Sequence, residues 1–154
     1  PQLMQSICLN IGLLPGDNPE ISVDVIEDSC RFTCTNLPYG DVVRVLKAGP
    51  PTRGQKRLRY NLTDKSQRDV YSLILKVLAD NPPLVEIDME ALLPRILKNL
   101  DSIKIAMQKV KDALKNWQKM LADYGPMYQV FEWKDDVIHI QDNLFLFYLR
   151  WSSI

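Results

Sequence analysis

The chain has 154 residues, 46% of them apolar and 25% charged, with 19 basic and 19 acidic side chains and a single histidine. That length suits one domain, 1–154, with a real core, and the balanced charge excludes a globally basic nucleic-acid protein or an acidic tail. No apolar run reaches the roughly 18 residues of a membrane span, so no membrane association is expected; NLFLFYLRW at 143–151 is the longest candidate and is too short.

The chain begins at Pro1, without methionine and without a charged-then-apolar leader, which points to a fragment or subunit of a larger protein or assembly. QSICLNIGLL (5–14) reads as a first strand ending at the turn cluster PGDNP. EISVDVIE (20–27) alternates, with Ile21, Val23 and Val25 on one face. CRFTCT (30–35) alternates again with Cys30, Phe32 and Cys34 inward, and DVVRVLK (41–47) is rich in β-branched residues. KRLRYNL (56–62) puts Leu58, Tyr60 and Leu62 on one face. A period of two with β-branched and aromatic residues predicts strands throughout. The three cysteines, Cys8, Cys30 and Cys34, form no even framework and suggest free thiols in a reducing, intracellular compartment, cytoplasmic or nuclear. They read as small buried apolar groups. With one histidine and no Cys-x-x-Cys, no metal site and no cofactor are expected.

The pattern then changes to a period of 3.6. TDKSQRDVYSLILKVLADNPP (63–83) offers Thr63 or Asp64 as an N-cap, an apolar stripe of Val70, Leu73, Ile74, Val77 and Leu78, and a stop at Asn81-Pro82-Pro83. LVEIDMEALL (84–93) holds a short extended piece followed by Asp88 as an N-cap. A second helix starts near Leu93, or is kinked there by Pro94, and ends at Gly125-Pro126. Strands return in MYQVFEW (127–133), DVIHIQ (136–141) and LFLFYLR (144–150), joined by short turns that favour antiparallel hairpins. The expected class is therefore α+β: a largely antiparallel sheet of N-terminal strands and three C-terminal strands, with two consecutive central helices.

The second helix, 93–124, carries an unbroken heptad: Leu93, Leu100, Met107, Leu114 and Leu121 alternate with Ile96, Ile103, Val110, Trp117 and Tyr124. Trp117 and Tyr124 are bulky for a two-stranded seam, and Lys104 and Lys111 lack acidic partners, so a simple coiled coil fits poorly. At roughly 45 Å, such a helix outruns a sheet of ordinary strands and would leave an apolar ridge for another chain. Met107, Val110, Leu114, Trp117, Met120, Leu121 and Tyr124 are the expected partner contacts.

Zero net charge hides segregation. Residues 47–69 hold seven basic and two acidic side chains, and the loop KAGPPTRGQKRLR presents Lys47, Arg53, Lys56, Arg57 and Arg59 to an acidic partner or to nucleic acid. The lysines along the long helix read as a solvated face. Nothing catalytic stands out: there is no phosphate-cradling glycine loop and no nucleophile elbow, and the acid pairs Glu27/Asp28 and Asp135/Asp136 fall where turns are expected. His139 lies in mid-strand with no nucleophile at a telling spacing. The reading is a non-enzymatic protein-protein interaction module, a complex subunit that binds a like or unlike chain through helix 93–124. No small-molecule ligand is expected. Nucleic-acid association through 47–59 is the alternative, and an enzyme without a recognisable motif the third.

Overall fold

Where period-two alternation predicts strands, the N-terminal third folds as helices. The computed structural model describes residues 2–13, 16, 22–52, 54–101 and 104–152. Helices α1 (Gln2–Asn10), α2 (Val23–Thr35) and α3 (Gly40–Ala48) occupy the first third. α2 buries Ser29, Cys30, Thr33 and Cys34, a stripe one turn apart that only a helix brings to one side. The Ser22 hydroxyl caps it by accepting from the Val25 amide at 3.4 Å. The Ser29 and Thr33 hydroxyls donate to carbonyls four residues back, both at 2.8 Å. α3 buries Val42, Val43, Val45 and Leu46 in the same helical spacing. β-branched residues lower helix propensity by tenths of a kcal/mol, and burial of four side chains outweighs that.

Two short strands follow, β1 (Tyr60–Asn61) and β2 (Gln67–Arg68), paired antiparallel. The turn between them is held by Asp64, which accepts from the Ser66 amide and hydroxyl. α4 (Val70–Leu78) is capped by Asp69 rather than by Thr63 or Asp64, with Asp69 Oδ1 accepting from the Ser72 amide at 2.9 Å. Leu73, Ile74, Leu75 and Val77 are fully buried, which makes α4 the centre of the core.

β3 (Glu86–Asp88) and α5 (Met89–Asn99) match the expected extended piece and cap: Asp88 Oδ1 accepts from the Ala91 amide at 2.7 Å. α6 (Met107–Tyr124), a single 3-10 turn (Pro126–Tyr128), β4 (Phe131–Lys134), β5 (Val137–Ile140) and α7 (Asn143–Trp151) complete the chain. The three strands order as β3-β5-β4, all antiparallel, with Ile87 and Trp133 both opposite Ile138. Asp135 and Asp136, both with positive φ, form the two-residue turn of the β4–β5 hairpin. LFLFYLR, expected as a strand, is α7: Phe145, Leu146 and Leu149 face inward, and Asp142 caps it through the Leu144 amide. The class is α+β, as expected; the sheets are two and small, and helices dominate.

The single helix 93–124 does not form. α5 ends at Asn99 because the backbone there bonds elsewhere. The Thr63 amide donates to Asn99 O at 3.0 Å, the Asp101 amide to Asn61 O at 3.1 Å, and Leu100 bridges Leu62. These bonds carry the chain away from the helix axis until α6 begins at Met107. The two halves of the heptad are therefore two helices closing on one core, and Ile103 lies outside the described residues.

Candidate functional surfaces

The expected partner ridge is mostly core. Val110, Leu114 and Trp117 have no exposed surface, and Leu121 is buried. Trp117 packs against Phe131 and Tyr71, with centroids at 5.7 and 6.0 Å, and its indole N–H donates to Leu46 O at 2.7 Å. Met120 is half-buried, and Met107 and Tyr124 are exposed at the two ends of α6. The ridge is thus covered by α3, α4 and the hairpin of the same chain, and no continuous apolar stripe is left on it for a second one.

The basic loop is ordered by its own arginine. Arg57 donates to the carbonyls of Ala48 and Pro50, pairs with Asp69 at 3.3 Å, and stacks over the Tyr71 ring with its guanidinium carbon 4.8 Å from the centroid. Gly49 closes the same corner: its φ is +56°, and a Cβ there would meet the Tyr71 ring at 2.7 Å. The result is an open cleft of about 1200 Å³ whose lining includes Lys47, Lys56, Arg57, Arg59 and Arg68. Arg53 lies outside the described residues. Lys56 and Arg59 are exposed, while Lys47 is half-buried. Its ammonium is held below the usual lysine range, first by burial and then by the nearby Arg68. Arg68 lies outside the loop, nine residues beyond Arg59 in the sequence. A second, smaller cleft adjoins the first through Arg57 and reaches Lys109 and Asn116 of α6.

A third surface differs from the expectation. Taken as strands, residues 20–35 would put Val23 and Val25 on one face and turn Phe32 inward. In α2 all three point outward, with Phe32 56% exposed, and Leu9 of α1 is 75% exposed. Met4, Val23 and Ile26 are exposed as well, so among the described residues half of the large exposed apolar side chains come from these two helices. Ile11, Val25, Ser29 and Phe32 frame a shallow depression between them. The signal available in the sequence was the stripe of small residues at 29, 30, 33 and 34, which marks the inner side of a helix and leaves the large residues outside.

His139 Nδ1 lies 3.2 Å from Glu86 Oε1 across the β3–β5 pair. Cys34 Sγ meets the Phe147 carbonyl at 3.8 Å, and burial, with a smaller contribution from Cys30, pushes its thiol up to about 11. Cys30 is raised as well, chiefly by burial. Glu27 and Asp28 are not in a turn but on α2, where both pair with Arg31 at 2.8 Å. Tyr39 donates to Asp142, and burial together with that carboxylate holds its phenol well above the usual range. Among the described residues, no group of three or more His, Cys, Asp or Glu side chains is placed to share a metal ion, and no helix is long and apolar enough to cross a membrane. No known protein family matches the chain, and neither curated proteins nor solved structures provide a match.

Proposed function

We propose that the chain is a non-enzymatic protein-protein interaction module, part of a larger protein or multiprotein assembly, and that its partner face is the outer side of α1 and α2. The observation that carries this reading is the exposure of Leu9 on α1 and of Val25 and Phe32 on α2, the latter two lining one depression between the helices. Single exposed apolar residues are ordinary, whereas contiguous groups of them mark surfaces that another polypeptide covers. α2 docks inward on α7 through small residues, so its large ones contribute nothing to the domain's own core. A partner with complementary apolar side chains would remove them from water at about 25 cal/mol per Å² of buried apolar surface.

The test is the pair Leu9→Ser and Phe32→Ser in one chain. Both side chains are largely exposed, so stability to urea should change by no more than about 0.5 kcal/mol. Self-association measured by sedimentation across dilution, or photo-crosslinking from position 25 to a native partner, should be abolished. A loss of several kcal/mol with no change in association would show that these side chains serve the fold and would end the proposal.

A further inference from the structure

Six basic side chains gather on one side of the molecule: Lys47, Lys56, Arg57, Arg59 and Arg68 around the larger cleft, and Lys109 beside Arg57 in the smaller one. The carboxylates lining the two clefts are Asp69 and Asp112. Asp69 already accepts from Arg57 and from the Ser72 backbone amide, and Asp112 accepts from the side-chain Nε2 of Gln108 at 2.8 Å. We infer that the larger cleft binds the phosphodiester backbone of a double-stranded nucleic acid.

Three observations select that ligand. Cationic groups crowd together there with both lining acids engaged, and Lys47 is destabilised as an ammonium by burial and by Arg68. An anion in the cleft relieves both costs. The larger cleft offers no large apolar side chain to an acidic peptide beyond its two prolines, and peptide partners depend on buried apolar or aromatic anchors. Single strands are held by stacking bases on exposed rings. Here Tyr60 is 2% exposed and Tyr71 5%, the latter with Arg57 over its face, so bases find no platform. A duplex presents phosphates at regular spacing with its bases turned inward, which matches a basic and ring-free surface. The cleft includes no residue of α1 or α2, and the inference stands apart from the partner face.

The experiment is fluorescence anisotropy of a labelled mixed-sequence DNA duplex of about two helical turns with the full chain, across salt. If Lys47, Lys56 and Arg59 each neutralise a phosphate, the log–log salt slope is about −2.7, and raising salt from 50 to 200 mM weakens binding about 40-fold. Lys56→Glu with Arg59→Glu, both exposed and outside the Arg57 staple, should cut the slope to about a third or abolish binding. Lys98→Glu with Lys134→Glu, charge-matched and away from both clefts, should bind like the parent. Circular dichroism confirms that all variants fold. The inference is overturned by no binding at 50 mM salt, by equal losses in both double variants, by tighter binding of the single strand, or by equal displacement with polyglutamate.

Discussion

Replacing Trp117 by phenylalanine separates a core residue from an interface residue. The indole N–H donates to Leu46 O at 2.7 Å. Leu46 lies in the last turn of α3, and the residue four positions on, whose amide would ordinarily satisfy that carbonyl, is Pro50. Proline has no amide hydrogen, so Trp117 supplies the donor that the helix lacks. Phenylalanine keeps most of the ring contact with Phe131 and Tyr71 but leaves a buried carbonyl unmatched, at about 1–3 kcal/mol. The smaller ring adds a void worth roughly 1 kcal/mol. The sum, about 2–4 kcal/mol, is a large share of the roughly 5–15 kcal/mol that holds a domain together. Urea unfolding followed by far-UV circular dichroism reads it without relying on the altered fluorophore. At about 2 kcal/mol per molar, the midpoint should fall by about 1–2 M with an unchanged slope. A change under about 0.5 kcal/mol, with a loss of association instead, would refute the core assignment and restore Trp117 as a partner contact.

Two further outcomes follow from titrating groups. Cys34, whose thiol is pushed up to about 11 by burial and then by Cys30, should resist a thiol reagent at pH 8, as should Cys30, while half-exposed Cys8 reacts first; rapid labelling of all three in the folded chain would contradict this. Asp64 is held well below the usual carboxylate range by the Ser66 hydroxyl, the Ser66 amide and Lys76. A depressed folded value means that its contribution is present above the unfolded value near 3.9 and is lost as pH falls below it. Asp64→Asn should therefore lower stability at pH 7 and flatten the acid limb below about pH 4; an acid limb identical to the parent's would disprove the linkage.

What was legible in the sequence is what local chemistry decides. Asp88 announces α5 because a cap oxygen must precede the first helical turn, and Asp88 Oδ1 does accept from the Ala91 amide. The hairpin was legible from two alternating runs and a short polar link, although the turn falls on Asp135-Asp136, one residue later than the Lys134-Asp135 link implied. α4 was legible from five apolar residues at helical spacing. Other elements depend on what lies opposite them. Cys30, Phe32 and Cys34 alternate as a strand would, yet Ser29, Cys30, Thr33 and Cys34 also form a helical stripe, and only packing against α7 chooses between the two. The break in the heptad is set by bonds from Asn61 and Thr63, some forty residues upstream of Asp101 and Asn99, which no local window contains. The basic loop was found in sequence because charge and glycine-proline content are local properties; Arg68 joined it only through the pairing of β1 with β2.

The position of Arg57 has a consequence for affinity. One guanidinium spans two loop carbonyls, the capping carboxylate of the central helix and an aromatic face. The loop is thereby pre-organised, and a ligand arriving there need not freeze it, so little of the attraction is lost to restricting the backbone. Because Asp69 also caps α4, loosening that single carboxylate would soften both the rim and the helix at the centre of the molecule, and the two should exchange their amide protons together.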